Sequence, residues 1–395
     1  MAKRKSSESN DEFSLLARLT GSELLEDSGK NEKGFIDTGI LAMNYANSGK
    51  YIGGGIPIGA CIEIYGGSSS GKTLIGTNIL RGVQSANGIA IFLDAERTIN
   101  KDFAVKASHV DPKKLIVMDA DTLEKAFARI YKIIRQARDE AKIPMERPIV
   151  IIYDSIAVSP SEREFAETTI DMETATKTEI KEAGAGADKP GERAKICGKE
   201  LRKLTPILEE NNASVVFINQ VRQKIGVMFG SDETSAGGGR ALEYYCTTRI
   251  RMSSFKKIKD KVGKVIGVNV SMQNVKNKCA PPFQDVKDMR LFFDKGIDPF
   301  GGLLGSLLTS GRIEYTGKAG TYKVLEPWAG GKEVTFKSSK ERNDVPYEAL
   351  LECPTLVDAE SAEQVQYYVD MFGAALDAVN SDMAAEEDVR DDEAA

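Results

Sequence analysis

Cys61-Ile-Glu-Ile-Tyr-Gly-Gly-Ser-Ser-Ser-Gly-Lys-Thr73 decides the fold: an apolar run, then a complete G-x-x-x-x-G-K-[ST] loop, then the helix-compatible Leu74 to Val83. Each part of that order has a physical reason. Gly66, Gly67 and Gly71 permit backbone angles at which successive N–H groups converge on one anion, with Ser68, Ser69 and Ser70 completing the loop. The helix that follows turns the positive end of its dipole to the same point. Lys72 brings a mobile cation to the β- and γ-phosphates, and the Thr73 hydroxyl suits a ligand position on Mg2+. A strand before the loop and a helix after it separate this pattern from a Gly/Ser-rich surface turn. The expectation is a nucleoside triphosphate site.

Outward from the loop, short β-branched runs alternate with longer helical segments. Ile89 to Asp94, Leu115 to Asp119, Pro148 to Asp154 and Ser214 to Gln220 read as strands, with Thr122 to Glu140 and Glu192 to Glu210 as helices between them. Such alternation requires crossover connections, hence an α/β fold with a buried, mostly parallel central sheet. Beyond Thr247 the strands come close together, at Thr247 to Met252, Val265 to Val275 and Arg290 to Phe293, which predicts an antiparallel extension of the same sheet. Residues 1–34 read as an N-terminal arm, with helical apolar spacing from Phe13 to Leu19 and then a linker. Residues 35–317 form the core, 318–373 a small α+β C-terminal domain, and 374–395 an acidic tail. Phe165 to Pro190 and Gly226 to Gly239 fit no regular element. Both follow strands that end beside the nucleotide, where loops sense a ligand and contact a second one.

Charge and composition narrow the partners. The chain has 395 residues, with 53 Lys and Arg against 59 Asp and Glu, a net charge of −6. Any nucleic-acid surface must therefore be a local patch. Six acids crowd the last ten residues, Glu386, Glu387, Asp388, Asp391, Asp392 and Glu393, so the rest of the chain is close to neutral. Five cysteines without a C-x-x-C and a single histidine, His109, leave little to build a zinc site or a histidine-based triad. The chain shows no signal-peptide stretch and no membrane-length apolar run, so a reducing, cytoplasmic setting without membrane contact is expected.

The remaining site candidates sit at strand ends. Asp154 closes the run Ile149 to Asp154. A strand ending in Asp is most often structural, but beside a phosphate loop it is expected to hold Mg2+ through water. Glu96, after Ile89 to Asp94, is the candidate general base for an attacking water, with a solvated loop acid as the equal alternative. Gln220 leads from a strand into the Gly-rich stretch, either as a switch that reads the γ-phosphate or as a strand-end cap. Lys276 and Lys278 alternate along one expected strand as a paired cationic prong, although a surface Lys pair is usually only solvated.

These residues, in this order, resemble the RecA family of DNA strand-exchange recombinases. Leu-Asp-Ala-Glu (Leu93 to Glu96), the run Phe217 to Gly230, Glu-Thr-Ser-Ala-Gly-Gly (Glu233 to Gly238) and Val-Lys-Asn-Lys (Val275 to Lys278) carry the resemblance together with the phosphate loop, over about Phe35 to Lys318. The resemblance implies a RecA-like P-loop ATPase core that uses ATP and Mg2+. Within it Glu96 is the catalytic glutamate, Asp154 the magnesium-linked carboxylate, Gln220 the nucleotide sensor and Phe103 the aromatic against adenine. Lys276 and Lys278 would reach the γ-phosphate of a neighbouring subunit. The two irregular stretches, about 157–190 and 226–239, would be DNA loops. Single-stranded DNA would be held by Lys195, Arg202 and Arg222 and by backbone N–H groups of Gly237 and Gly238.

The implied function is ATP-dependent homologous recombination and DNA repair. In it a helical filament on single-stranded DNA pairs with homologous duplex, exchanges strands and hydrolyses ATP, with room for a repressor-type protein partner. The sequence also departs from the family. Asn100 stands where the family has Asp, Lys195 stands where it has Arg, and the first loop is longer and acidic at Glu167 to Glu182. The hairpin Arg249 to Lys264 holds seven Lys and Arg against Asp260, a patch for a second DNA strand or simply a solvated hairpin. Two rival functions share the core: a ring-forming helicase or translocase, and a non-enzymatic DNA-coating scaffold.

Overall fold

The computed structural model describes residues 33–168, 191–223, 233–235, 238–260, 262–293, 295–338 and 345–370, together with Ser14, Leu16, Ala17, Leu19, Thr20 and Ser22 of the arm. The chain divides into two compact units, Met1–Gly34 and Phe35–Ala395. In the first, Ser14, Leu16, Ala17 and Leu19 have helical backbone, and Thr20 closes the turn by donating to Leu16 O. Leu16 and Leu19 are exposed there.

The second unit is built on one large sheet. After β1 (Phe35–Ile36) and β2 (Ile56–Pro57), which pair with each other, come β3 (Cys61–Gly66), β4 (Ile89–Asp94), β5 (Leu115–Asp119), β6 (Ile149–Asp154) and β7 (Ala213–Gln223). Next are β8 (Glu233–Ser235), β9 (Thr248–Lys259), β10 (Val265–Lys276), β11 (Asp285–Phe292) and β12 (Gly296–Ile297). The order across the sheet is β12-β11-β10-β9-β3-β7-β6-β4-β5, with β8 added to β7. Strands β9, β3, β7, β6, β4 and β5 run parallel, and β10 to β12 extend them antiparallel, the expected architecture.

Period-two alternation explains why these strands read as unbroken apolar runs. Val150 and Ile152 of β6, with Val216 and Ile218 of β7, pack under α2 (Lys72–Ser85) through Ile75, Ile79 and Leu80. Ile149, Ile151 and Tyr153, with Val215 and Phe217, face the other way onto α4 (Leu123–Arg135) and α6 (Glu192–Glu210). Between them, α1 (Leu41–Ser48), α3 (Lys101–Ser108) and α5 (Glu162–Thr168) are shorter.

Several boundaries differ from the sequence reading, each for a local reason. The helix expected over Thr122 to Glu140 is α-helical only to Arg135 and finishes as a π turn over Gln136–Glu140. Helix α5 takes the first residues of the stretch that fitted no element. Ser161 N–H bonds Glu164 Oε2 at 2.7 Å and Glu164 N–H bonds Ser161 Oγ at 3.1 Å, a capping box that Ser-Glu-Arg-Glu announces. Strand β11 starts five residues before Arg290, because its outer half, carrying Lys287 and Asp288, is polar and lacks the apolar signal.

A third core joins Leu41 and Tyr51 to Phe300, to α8 (Leu303–Thr309), and to the sheet β13 (Ile313–Tyr315), β14 (Thr321–Val324), β15 (Thr335–Lys337). The Arg312 guanidinium anchors it. It lies 4.7 Å from the Tyr51 ring and 5.2 Å from Trp328, and it bonds Leu356 O at 2.9 Å and Asp358 Oδ1 at 2.8 Å.

Candidate nucleotide and DNA site

β3 ends at Gly66 and α2 begins at Lys72, so the loop between them lies at the carboxyl edge of the sheet against a helix N-terminus. Gly71 caps α2 with φ 84°, an angle at which an L side chain is strained, and a Cβ there would collide with Leu291. Lys72 Nζ folds back over the loop and donates to Gly67 O at 2.6 Å and Ser70 Oγ at 3.4 Å. Burial lowers the Lys72 pKa, and the nearby Asp154 and Glu96 carboxylates pull it the other way.

Thr73 Oγ1 donates to Asp154 Oδ2 at 2.6 Å. Asp154 is buried, and that burial pushes its carboxyl up to about 6; the Thr73 hydrogen bond opposes the shift and the Glu96 charge adds to it. Two adjacent oxygens, one on a carboxylate short of positive charge, are a donor set that fits Mg2+, which takes one or two protein oxygens and keeps several waters. Asp94 stands opposite Asp154 in register, and its oxygens accept from Thr98 N at 3.1 Å and Ile99 N at 2.9 Å. That carboxylate holds the loop together. Glu96, two residues on, has its carboxylate turned to Ser155, whose Oγ donates to Oε1 at 2.6 Å.

A cleft of about 300 Å3 opens over the loop, with Ser69, Lys72 and Thr73 on one wall and Val268, Leu291 and Phe293 on the other. Phe293, which lines it, is 48% exposed. Sequence reading missed this residue because it has no local motif and only the turn after β11 brings it to the loop. Phe103 lies on α3, its side chain outside the described residues.

Gln220 does not end its strand: β7 continues to Gln223 and pairs with β8. Exposed, it stands opposite Gly66 in register, at the entry to the phosphate loop. Its neighbour Asn219 begins a buried polar row that gave no local sequence signal. Asn219 Nδ2 donates to Glu63 Oε1 at 2.8 Å, and Arg249 Nε donates to Glu63 Oε2 at 2.6 Å, with the guanidinium 5.1 Å from the Tyr65 ring. Arg249 in turn lies opposite Lys276. Lys276 Nζ donates to Glu243 O at 2.5 Å and Tyr244 O at 3.0 Å, both on α7 (Ala241–Tyr245). Strand β10 stops at Lys276, so Lys278 does not alternate with it on one strand but lies exposed in the bend beyond. Burial, and then the Lys278 charge, lower the Lys276 pKa.

On α6, Lys195, Lys199 and Arg202 are all exposed and lie four and three residues apart, one cationic stripe of which Lys199 was not anticipated. Arg202 Nε donates to Tyr245 OH at 3.2 Å. The end of the Gly-rich stretch meets the same helix: a Cβ on Gly239 would come within 2.8 Å of Ala194 Cβ, and one on Gly238 within 3.4 Å of Cys197 Sγ. Gly237 and the Arg222 side chain lie outside the described residues, as do residues 169–190 and 224–232 of the expected DNA loops. Among the described residues no helix is long and apolar enough to cross a membrane.

Comparison with known proteins fits this geometry. The family described as RecA N-terminal domain matches residues 21–298. A protein named RecA from Thermus thermophilus is 34% identical over 319 residues, 80% of this chain and 83% of that protein. Those from Thermus aquaticus and from Mycobacterium sp. strain KMS are each 34% identical, over 78% and 79% of this chain and 82% and 80% of their own lengths. A family match over more than half of the chain, and relatives at this identity over four fifths of it, show that the chain belongs to the RecA family, the DNA-dependent ATPases of homologous recombination and repair.

Proposed function

We propose that this chain binds ATP with Mg2+ in the phosphate loop, assembles as a helical filament on single-stranded DNA, and pairs that strand with homologous duplex. The observation that carries the reading is the continuous line Thr73–Asp154–Ser155–Glu96, which sets a metal-binding pair of oxygens next to a carboxylate able to act as base. When bound, Mg2+ supplies charge neutralisation on the phosphate oxygens. Lys72 gives a second positive charge, the loop N–H groups of Gly66 to Thr73 hold the phosphates, and Glu96 takes the proton of the attacking water. Gln220, at the entry to the loop, reads the γ-phosphate. Lys276 and Lys278 complete the site of a neighbouring protomer, and Phe293, with Phe103 as the sequence-based alternative, flanks the base.

Self-association is supported by β5, an edge strand with Ile116 and Val117 exposed. Beside it an apolar cleft of about 460 Å3 includes Ala104, Val105, Val110 and Leu115. The arm, residues 1–34, supplies apolar side chains such as Leu16 and Leu19 for the next protomer. Single-stranded DNA lies along Lys195 and Arg202 with Arg222, Gly237 and Gly238, and the basic hairpin of β9 and β10 offers charge to the duplex. In the same reading residues 35–317 are the ATPase core, 318–373 a C-terminal module and 374–395 an acidic tail, in a cytoplasmic protein with a repressor-type protein as a further partner.

Lys72→Ala tests the whole reading. It should abolish ATP-dependent filaments, DNA-stimulated hydrolysis and strand exchange together; exchange that survives the substitution would favour an ATP-independent coating protein. Closed hexamers on DNA in electron micrographs would instead favour a ring-forming translocase.

A further inference from the structure

Arg193 occupies the first turn of α6, two residues before Lys195. A cation there meets the positive end of the helix dipole and needs compensating oxygens. Its guanidinium finds them on another element: Nη2 donates to Ile156 O at 3.0 Å and to Ala157 O at 2.7 Å. Those carbonyls belong to the turn that follows Asp154, and the residue before Ile156 is Ser155, whose hydroxyl holds Glu96. The turn has little other freedom. Ile156 N–H bonds Ile218 O at 3.2 Å, and Ser159 Oγ donates to Ser155 O at 3.3 Å while accepting from Tyr153 OH at 2.7 Å. Arg193 Nε is buried without a hydrogen-bond partner among the described residues. A buried orphan donor costs stability, so this clamp is a poor choice if stability were its only use.

We infer that Arg193 is a positioning residue that carries the state of the DNA-facing helix α6 to the Glu96 carboxylate, through the Ile156 and Ala157 carbonyls and Ser155. The inference rests on the proposed roles of Lys195 and Arg202 in DNA binding and of Glu96 as base. Phosphates packed along the exposed stripe shift α6. The planar guanidinium passes that shift to two successive peptides as one rigid unit. Ser155 follows, and its hydroxyl turns Glu96 toward or away from the attacking water. DNA engagement therefore acts on kcat more than on ATP affinity.

The test compares ATP hydrolysis with and without oligo-dT for the wild-type chain, R193M, R193K, S155A and the double variant R193M/S155A. DNA affinity is measured separately with a non-hydrolysable ATP analogue. R193M keeps the stem and loses the donors: its KM for ATP and its DNA affinity should stay within about twofold, while DNA-stimulated kcat falls about tenfold or more. R193K, whose ammonium can reach the same carbonyls, should recover at least about half of the stimulation. S155A should fall like R193M, and the double variant should be no worse than the poorer single one.

Full stimulation in R193M, a parallel loss of DNA affinity, or losses that multiply in the double variant would overturn the inference. If R193M does not fold, S155A decides, and undiminished stimulation in it sinks the idea. A wild-type chain without DNA-stimulated hydrolysis would instead remove the functional reading beneath it.

Discussion

Asp154 carries a cost of burial. Its folded pKa of about 6 lies above the ordinary carboxylate value, so the folded chain holds the proton more tightly than the unfolded one. Stability of the nucleotide-free protein should therefore fall as pH rises from about 4 to about 6, by at most about 3 kcal/mol for a shift of this size. Asp154→Asn should flatten that slope and raise stability at pH 7 by about 1–3 kcal/mol, while Mg2+-dependent hydrolysis is lost. Urea midpoints at pH 5 and pH 7 check it, and a less stable variant at pH 7 would refute the burial argument. Lys72 and Thr73 were legible in sequence because a strand, a loop of set length and a helix fix them within a few residues, and Asp154 because it closes an apolar run. The Ser155 bond to Glu96 was not, since it spans 59 positions and depends on β4 and β6 lying side by side. Glu63 was invisible for the same reason: a carboxylate inside an apolar strand acquires meaning only when Arg249, 186 positions away, is found against it. Glu63→Ala should cost about 3–5 kcal/mol in urea denaturation by removing the fully buried carboxylate that Arg249 Nε meets at 2.6 Å.

At the scale of elements, helix α6 was readable from Glu192 to Glu210, and its exposed face now carries a quantitative expectation. Replacing Lys195, Lys199 and Arg202 together with Ala should reduce the slope of log affinity for single-stranded DNA against log salt by about 2, at about 0.7 per phosphate contact. An unchanged slope, measured by anisotropy between low and physiological salt, would take the DNA off this face. Strand β5 makes a second case. Its Ile116 and Val117 look like core residues in sequence, and the sheet order leaves them exposed on the edge. Ile116→Lys with Val117→Lys should leave the monomer folded and shorten or abolish filaments in sedimentation and electron microscopy, because charge on an edge strand opposes pairing. The extension of β7 to Gln223 was hidden because its last residues are polar, and only pairing with β8 keeps them in the sheet.

For the whole molecule, the proposed division of the site between one protomer's phosphate loop and its neighbour's Lys276 and Lys278 would make activity a property of neighbours. A heterologous, head-to-tail interface repeats along a filament, so two inactive variants can complement each other. Glu96→Gln mixed equally with Lys276→Ala/Lys278→Ala should regain about a quarter of wild-type hydrolysis, since one interface in four pairs two intact halves. No recovery in mixed filaments would place both halves in one protomer. The amino-acid order alone determined the phosphate loop, the α/β alternation, the antiparallel extension and the family, because each is written in residues close together along the chain. Only the tertiary structure decided which carboxylate loops back to its own turn and which meets Ser155, that Phe293 lines the cleft over the phosphate loop, and that Arg193 bridges α6 to the turn after Asp154. Apart from the Asp94 bonds to Thr98 and Ile99, those contacts join residues tens to hundreds of positions apart, and the order of strands in the sheet, which no local pattern encodes, brings them together.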